Sequence, residues 1–242
     1  MTLQDYRAEL DRIDAELARL FSERMAVSGE IGAWKLAHEV PVLDSAREKE
    51  KLASIGSAMP EGLGGYGLAL YSRIFSLSRV RQRLLAGENI ILIGMPGCGK
   101  TTVARALCEL LCCECLDCDE WIERHEGKTI PEIFADQGEA AFRALETAAL
   151  DQLCAHRGCV IATGGGCVTR AENEALLRRS GCVVWLKRDL DQLSVEGRPI
   201  SCLYGVEELF ARRAPLYAQF SDLSVENSAA VRDAALRVID LI

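Results

Sequence analysis

The chain has 242 residues with a formal net charge of −8, and 49% of its residues are hydrophobic. This composition supports a packed core and excludes intrinsic disorder, and the acidic balance argues against nucleic acid as a partner. No apolar run reaches the ~18 residues of a membrane span, and the polar first residues do not form a secretion signal. We therefore expect a cytoplasmic protein that interacts with neither a membrane nor nucleic acid.

Charge and cysteine are both unevenly distributed. Residues 1–87 are neutral overall, so the whole net charge falls on the rest of the chain, and all 11 cysteines lie at or after Cys98. This asymmetry predicts two units, 1–87 and 88–242. Without a secretion signal the thiols are expected to be reduced. Cys112, Cys113, Cys115 and Cys118 form a cluster that matches no common zinc pattern. Small buried hydrophobes are favoured there, with zinc as the alternative.

The first predicted element is one long helix. Its apolar residues recur in steps of three and four from Leu3 to Trp34, which predicts a helix of ~35 residues and about 50 Å. A small domain cannot cover so long an apolar seam, so we expect a homodimer through these N-terminal helices.

A basic residue interrupts this seam at Arg24, where an apolar side chain is expected. A buried guanidinium needs an anion. Lys35 follows eleven residues later, about three turns on, and so lies on nearly the same face. Arg7 lies roughly 100° away around the helix, which suits it to serve a neighbouring subunit.

Two shorter helices are predicted to follow, and both bring polar groups to an apolar interior. Asp44, Arg47 and Glu48 stand at i, i+3 and i+4 and so share one face of the second helix. Ser78 and Gln82, four residues apart, lie on the apolar side of the third. From pattern alone, a dimerisation arm with satisfied ion pairs remains an alternative to a ligand site.

Nearly all of residues 1–87 resembles the all-helical chorismate mutase family, through Arg7, Arg24, Lys35, Asp44-x-x-Arg47-Glu48 and Ser78-Arg79-x-x-Gln82. The resemblance implies an intertwined three-helix homodimer that rearranges chorismate to prephenate, without a cofactor. In that family's arrangement Arg7 (from the partner), Arg24 and Arg47 hold the two carboxylates, and Lys35 and Gln82 hold the ether oxygen. Glu48 and the Asp44 region hold the hydroxyl, and Ser78 is a further chorismate-binding position. The alternative is a module that dimerises the chain and senses chorismate or prephenate without turnover.

A phosphate-binding loop follows the third helix. Residues 94–101 fit G-x-x-x-x-G-K-[ST], after a β-branched apolar run at 89–93 and before a helical pattern. In this context backbone N–H groups from Gly97 to Thr102, Cys98 and Gly99 included, are expected to surround the phosphates of ATP. Lys100 would reach the outer phosphates, and the Thr101 hydroxyl would hold Mg²⁺.

Further strands alternate with helices along the second half of the chain. Asp117 and Asp119 end a predicted strand, and Gly164 to Gly166 directly follow another at 159–163. Strands are also predicted at 183–186 and 223–225, with a last helix from about Ala229. This alternation predicts a parallel doubly wound sheet with its ligands at the carboxyl edge.

Residues 88–242 resemble shikimate kinase. The resemblance rests on Gly94 to Thr101, Asp117-x-Asp119, Gly138-Glu139-x-x-Phe142-Arg143-x-x-Glu146, the triple glycine, Arg198-Pro199 and Arg213-Ala214-Pro215-Leu216-Tyr217. It implies transfer of the ATP γ-phosphoryl group to the 3-hydroxyl of shikimate. Asp117 would support Mg²⁺, and Arg198 would close on the phosphates. Shikimate would be bound by Asp119, Arg143, Gly165 and Arg213. Asp119 is the candidate base.

The sequence departs from this family between Lys187 and Val206, where the lid segment is short. The arginine that often stacks on adenine is not evident there, and Arg188 is the candidate replacement. A kinase for another polyol, such as gluconate, is the alternative. The hypothesis from sequence is therefore a bifunctional enzyme of aromatic amino-acid biosynthesis, with a chorismate mutase at 1–87 and a shikimate kinase at 88–242.

Overall fold

The computed structural model describes residues 1–193, 205–228 and 230–242. The chain divides into two compact units, Met1–Ala86 and Gly87–Ile242. The sequence prediction places the boundary one residue later, after residue 87. In the described part of the chain, no helix is both long enough and apolar enough to cross a membrane.

The first unit consists of three helices, as expected. The first is the single long helix that the seam predicts, and a capping box formed by Thr2 and Asp5 starts it. The third helix packs on both others. Gly32 allows the close approach, because a Cβ there would lie 2.9 Å from the Cα of Gln82. The helices are α1 (Leu3–Ala37), α2 (Ser45–Ala58) and α3 (Gly64–Leu85).

The start of α2 differs from the expectation. Asp44 is not a member of the helical face but the residue that caps it, and its side chain accepts a hydrogen bond from the Arg47 backbone N–H at 2.9 Å. An aspartate at this position satisfies one of the unpaired N–H groups of the first turn. Asp44 therefore has a structural role that the spacing did not reveal.

The apolar seam of α1 is open to solvent in the single chain. Leu3, Leu10, Leu17 and Trp34 each expose more than half of their surface. The buried residues of α1 are instead Ser28, Gly29 and Gly32, where α3 packs against the helix.

The described part of the second unit contains a five-stranded parallel sheet with the order β2-β3-β1-β4-β5, which confirms the predicted class. Its first strand is buried at every position, as its unbroken β-branched run requires. The strands are β1 (Asn89–Ile93), β2 (Cys115–Asp117), β3 (Val160–Ala162), β4 (Gly181–Lys187) and β5 (Leu223–Glu226). The helices are α4 (Lys100–Leu111), α5 (Cys118–Glu126), α6 (Ile130–Leu153), α7 (Glu172–Ser180), α8 (Val206–Phe220) and α9 (Val231–Leu241). Ala229, the predicted start of the last helix, lies outside the described residues.

The sheet order places a topological switch point between β1 and β3. These strands are neighbours, with Ile90 paired to Val160, yet the chain leaves β1 towards β2 and leaves β3 towards β4. Connections that leave adjacent strands in opposite directions run over opposite faces of the sheet and open a crevice at the carboxyl ends of those strands. The phosphate loop follows β1 and the triple glycine follows β3, so both line this crevice.

Candidate active sites

A polar cluster lies between α1 and α3. Arg24 Nη1 donates a hydrogen bond to Ser78 Oγ at 2.5 Å, and its guanidinium lies 5.3 Å from the centre of the Phe75 ring. Gln82 Nε2 donates to Ser28 Oγ at 3.1 Å, and that hydroxyl donates to the Ser78 carbonyl at 3.4 Å. The structure thus brings together Arg24, Ser78 and Gln82 as predicted. Ser28 was missed, although it lies four residues after Arg24 and so on the same face.

Two features of this cluster suit a polar, anionic ligand. Gln82 Oε1 is buried and has no hydrogen-bond partner among the described residues. A buried acceptor without a partner costs about 1–3 kcal/mol, so a ligand donor is favoured there. Burial also lowers the pKa of Arg24, because a partly desolvated guanidinium lacks a full counter-charge, which an anion would provide.

Glu48 reaches α3 from α2, but it is bound to another residue. Both of its carboxylate oxygens lie 2.8 Å from Arg79 Nη1, and Arg79 Nη2 also donates to Ser76 Oγ at 3.3 Å. The sequence assigned Glu48 to a substrate hydroxyl and gave Arg79 no role. In the structure Arg79 holds the Glu48 carboxylate at the α2–α3 interface.

Three predicted ligands of chorismate lie outside the hydrogen bonds of the Arg24 cluster. Arg7 is exposed on α1. Arg47 is exposed and donates to Glu50 at 2.7 Å. Lys35 is half-buried, and its Nζ donates to the Val42 carbonyl at 2.6 Å. A single chain therefore does not gather all the cations that the resemblance assigns to the site.

In the second unit, the phosphate loop has the backbone that its glycines permit. Gly94, Gly97 and Gly99 have φ of 148°, 84° and 93°, a region that side chains with a Cβ rarely enter. Lys100 begins α4 and is buried, and its Nζ donates to the carbonyls of Gly94 and Met95 at 3.0 and 3.1 Å. The ammonium group thus lies inside the loop, at the amino end of the helix.

Thr101 and Asp117 form an oxygen pair beside this loop. Thr101 Oγ1 donates to Asp117 Oδ2 at 2.7 Å, and Asp117 Oδ1 accepts from the backbone N–H groups of Asp119 and Glu120. Thr102 lies in the same first turn of α4. Hydroxyl and carboxylate oxygens are the hard ligands that Mg²⁺ prefers, so the predicted pair fits that ion.

Asp119 lies next to this pair, in the first turn of α5. Part of its side chain remains accessible, but desolvation by the surrounding protein raises its pKa to about 6, against the lowering effect of Lys100. Gly164 leaves room for the carboxylates, because a Cβ there would lie 3.0 Å from Asp119 Oδ1 and collide with Glu146.

Two buried arginines meet the triple glycine from different helices. Arg143 of α6 is paired with the buried Glu146 and, at 3.2 Å, with the half-exposed Glu139, and a Cβ at Gly166 would overlap its guanidinium. Arg213 of α8 donates from Nη1 to the Gly165 carbonyl at 3.2 Å. All four residues that the sequence assigned to shikimate, Asp119, Arg143, Gly165 and Arg213, therefore lie around one loop.

Further contacts hold this loop in place. The Tyr217 hydroxyl donates to the Gly165 carbonyl at 2.5 Å, and Gly165 packs against Pro96 of the phosphate loop. The phosphate loop itself is held by buried Asn227, whose Nδ2 donates a hydrogen bond to the Cys98 carbonyl at 2.8 Å. Tyr217 belongs to a quoted motif but had no assigned role, and no sequence signal pointed to Asn227.

Arg188, the candidate replacement on the adenine side, lies near the phosphate loop. Its Nη1 is 3.8 Å from the position of a Cβ on Gly99, and its Nε is buried without a hydrogen-bond partner in the described ranges. Arg198 lies outside the described residues. The zinc alternative for the cysteine cluster finds no support, since within residues 1–193, 205–228 and 230–242 no group of three or more His, Cys, Asp or Glu side chains could hold a metal ion.

The second unit thus has a parallel sheet with a phosphate loop at its switch point, a Thr–Asp oxygen pair beside that loop and two buried arginines. Together these features define a P-loop phosphotransferase for a small anionic substrate. The family model described as "Shikimate kinase" matches residues 96–242, and the model described as "Chorismate mutase type II" matches residues 6–83. The chain belongs to the shikimate kinase family, and its first unit is a type II chorismate mutase domain.

Individual relatives agree with this assignment. The shikimate kinase of Acinetobacter baumannii (strain AYE) is 42% identical over 164 residues, covering 64% of this chain and 91% of that one. That of Thioalkalivibrio sulfidiphilus is 41% identical over 161 residues, covering 63% and 83%. A solved structure of the Acinetobacter baumannii enzyme in complex with shikimate has a TM-score of 0.61 at 39% identity, covering 64% of this chain and 92% of that one.

A solved structure of shikimate kinase from Aquifex aeolicus has a TM-score of 0.55 at 30% identity, covering 62% of this chain and 93% of that chain. The relatives thus correspond to the second unit, and the mutase match accounts for the first. The predicted fusion is confirmed: the chain is a bifunctional enzyme of aromatic biosynthesis.

Proposed function

We propose that the second unit transfers the γ-phosphoryl group of ATP to the 3-hydroxyl of shikimate. The observation that carries this proposal is the pair of buried arginines at the triple glycine, Arg143 and Arg213, with Asp119 beside the same loop. Two guanidiniums suit a carboxylate, and a nearby carboxylate suits hydroxyl groups. The relative from Acinetobacter baumannii was solved with shikimate bound, in keeping with this assignment.

Phosphoryl transfer depends mainly on positioning and charge neutralisation. The backbone N–H groups of Gly97 to Thr102 and the amino end of α4 surround the phosphates of ATP, and Lys100 exchanges its bonds to loop carbonyls for phosphate oxygens. Thr101 and Asp117 hold Mg²⁺, which neutralises phosphate charge when it is bound. Arg188 contacts the nucleotide from the Gly99 side.

Asp119 orients the attacking hydroxyl and accepts its proton. A carboxyl with a pKa of about 6 is mostly ionised at neutral pH, yet it is a stronger base than an ordinary aspartate. Because Asp119 lies beside Lys100, the hydroxyl group that it orients is close to the phosphate loop.

We infer that the first unit converts chorismate to prephenate as a homodimer. The rearrangement needs no nucleophile, so the site must hold the compact conformer and stabilise charge on the ether oxygen. Arg24 and Ser78 bind one carboxylate of chorismate. Gln82 and Lys35 interact with its ether oxygen. Arg7 of the partner subunit and Arg47 complete the cation set, which agrees with their exposure in one chain.

The first test is loss of chorismate absorbance with purified protein in the absence of ATP. We expect turnover that Arg24→Ala abolishes while ATP-dependent phosphorylation of shikimate persists. Arg19→Ala is the matched control, because Arg19 is exposed and pairs with Glu23 on the same helix. No turnover by the unchanged protein, with the kinase intact, would reduce the first unit to a dimerising or sensing module.

Two further comparisons separate the alternatives. Lys35→Ala should lose turnover more than it loses binding of prephenate, since its role is at the breaking bond. A pure sensor has no turnover to lose. For the kinase, gluconate is assayed beside shikimate, and phosphorylation of gluconate at an equal kcat/KM would overturn the substrate assignment.

A further inference from the structure

The carboxyl end of α4 has a backbone turn that places two cysteine side chains together. Cys112 adopts the left-handed conformation, with φ of 52°. The backbone N–H of Cys113 donates to the Cys108 carbonyl at 3.4 Å. This six-to-one hydrogen bond after a left-handed residue is typical of the Schellman helix ending, which a contact between the side chains at these two positions frequently accompanies.

The two sulfur atoms are in contact and are not deeply buried. A thiol–thiol hydrogen bond joins Cys113 to Cys108, with the sulfurs 4.0 Å apart, and Cys108 Sγ also donates to the Glu114 carbonyl at 3.3 Å. Both residues are partly accessible. The sulfur separation of 4.0 Å exceeds the length of a disulfide bond by about 2 Å, so the two thiols are already neighbours before any reaction.

We propose that Cys108 and Cys113 form a reversible dithiol–disulfide pair, a modification site that a hydroperoxide oxidises and a small thiol reduces. Cys113 belongs to the cysteine cluster in which the sequence favoured small buried hydrophobes, and Cys108 lies outside that cluster. The kinase and mutase chemistry makes no use of either residue. The proposal concerns the α4–β2 connection and rests on the helix ending and the sulfur contact.

The reaction balances with the hydroperoxide as the oxidant. The Cys113 thiolate attacks one peroxide oxygen, which gives a sulfenic acid and releases an alcohol or water. The Cys108 sulfur then attacks the Cys113 sulfur, and the hydroxyl group leaves as water with the Cys108 proton. Two thiols and one hydroperoxide thus become a disulfide, an alcohol or water, and one further water molecule.

The local electrostatics support this order of events. The hydrogen bond with Cys108 lowers the pKa of Cys113, while the same contact raises that of Cys108. The more acidic thiol is the one that reacts first with an oxidant. Cys112, between them in sequence, is exposed and has no sulfur partner among the described residues.

The pair lies far from the phosphate loop. Helix α4 has 12 residues from Lys100 to Leu111, so its two ends are about 18 Å apart at 1.5 Å per residue. We therefore expect the disulfide to leave kinase turnover within about two-fold of its reduced value. Oxidation of Cys98, which lies within the phosphate loop, would instead abolish it.

The test exposes the full-length protein to a small excess of hydrogen peroxide, blocks the remaining thiols and maps peptides by mass spectrometry. We expect one cross-link between Cys108 and Cys113, lighter by two hydrogen atoms and removed by dithiothreitol. Cys108→Ser should leave a sulfenic acid on Cys113 that dimedone traps, whereas Cys112→Ser, the control, should cross-link as the unchanged protein does.

Two results would overturn the proposal. One is a cross-link from Cys108 to Cys115, a residue of β2 whose side chain also interacts with the Cys108 thiol. The other is independent over-oxidation of Cys108 and Cys113 without any cross-link. Circular dichroism and kinase activity of each variant verify that it is folded, so a negative result is informative.

Discussion

The two units of this chain differ in how completely they bury their functional residues. In the second unit Lys100, Arg143, Glu146 and Arg213 are all buried and bound to protein groups. In the first, α2 contains no buried residue and the seam of α1 is exposed. Among the described residues, one chain thus brings the candidate kinase residues together, whereas it gathers only some of the candidate mutase residues.

This difference has a physical cause. A parallel sheet is covered by its own helices, so loops at its carboxyl edge are held from several sides. Three helices with a 35-residue member cannot enclose that member's seam. Covering the exposed half of each leucine or aromatic residue along it by a second chain would contribute about 0.8–1.5 kcal/mol. The proposed dimer would therefore give the first unit the burial that the second unit obtains from its own sheet.

The largest expected effect tests whether the two sites are independent. Lys100→Ala should lower the kinase kcat by roughly 10²–10³-fold, because a buried cation no longer faces the phosphates. Mutase turnover should stay within two-fold. A coupled ADP assay and chorismate absorbance measure the two activities. Lys128→Ala, which removes an exposed lysine paired with Asp136, is the control and should change neither. A joint loss in Lys100→Ala would contradict independence.

The next effect tests the exposed seam. Leu17→Asp should convert dimer to monomer in analytical ultracentrifugation and lower mutase activity about 100-fold, because a charge at the dimer interface opposes association. Kinase activity should persist. Arg12→Asp places the same side chain on the face solvated by Glu9 and Glu16, and it should remain dimeric. A fully active monomer would refute the shared site.

The third comparison concerns stability within the kinase unit. Glu146→Ala leaves the buried Arg143 guanidinium without its buried partner and should cost about 3–5 kcal/mol of unfolding free energy. Glu139→Ala removes a half-exposed partner of the same arginine and should cost less than about 1 kcal/mol. Urea denaturation followed by near-ultraviolet circular dichroism measures both variants. Equal losses of unfolding free energy would mean that burial does not make the Arg143–Glu146 pair stronger than the Arg143–Glu139 pair.

The smallest expected effect is in the pH dependence. We propose Asp119, as the carboxylate, for the proton acceptor of the kinase. Its pKa is raised to about 6, so kinase kcat should be level above pH 7 and fall several-fold towards pH 5 as the group protonates. Mutase activity should vary less than about two-fold between pH 6 and 8, because the Gln82 amide does not titrate. Rate profiles of both reactions on one preparation provide the comparison. A steep mutase profile would exclude Gln82 as the ether-oxygen donor.

Local patterns predicted much of the candidate kinase site. The phosphate loop, the Asp117–Asp119 pair and the triple glycine each occupy a short stretch of sequence, and each lies at or near the carboxyl end of a strand. Because parallel strands end at one edge, their loops must meet there. The three-helix unit was predicted equally well, because the 3.6-residue period of its apolar residues is visible in the sequence alone.

Contacts between distant segments could not be predicted in this way. Glu48 and Arg79 are 31 residues apart, Ser28 and Gln82 are 54, and Tyr217 and Gly165 are 52. Each pair depends on how two elements pack, and sequence spacing reports only neighbours on one element. For the same reason the capping role of Asp44 and the Asn227 contact to Cys98 became evident only in the structure.

By itself the sequence determined the fold class of both units, the single long helix and the position of the phosphate loop. These depend on backbone periodicity and on glycine conformations, which are local properties. Only the tertiary structure decided which charges are paired, which are exposed and which cysteines touch. Those properties depend on burial, and burial is set by segments that approach one another from distant parts of the chain.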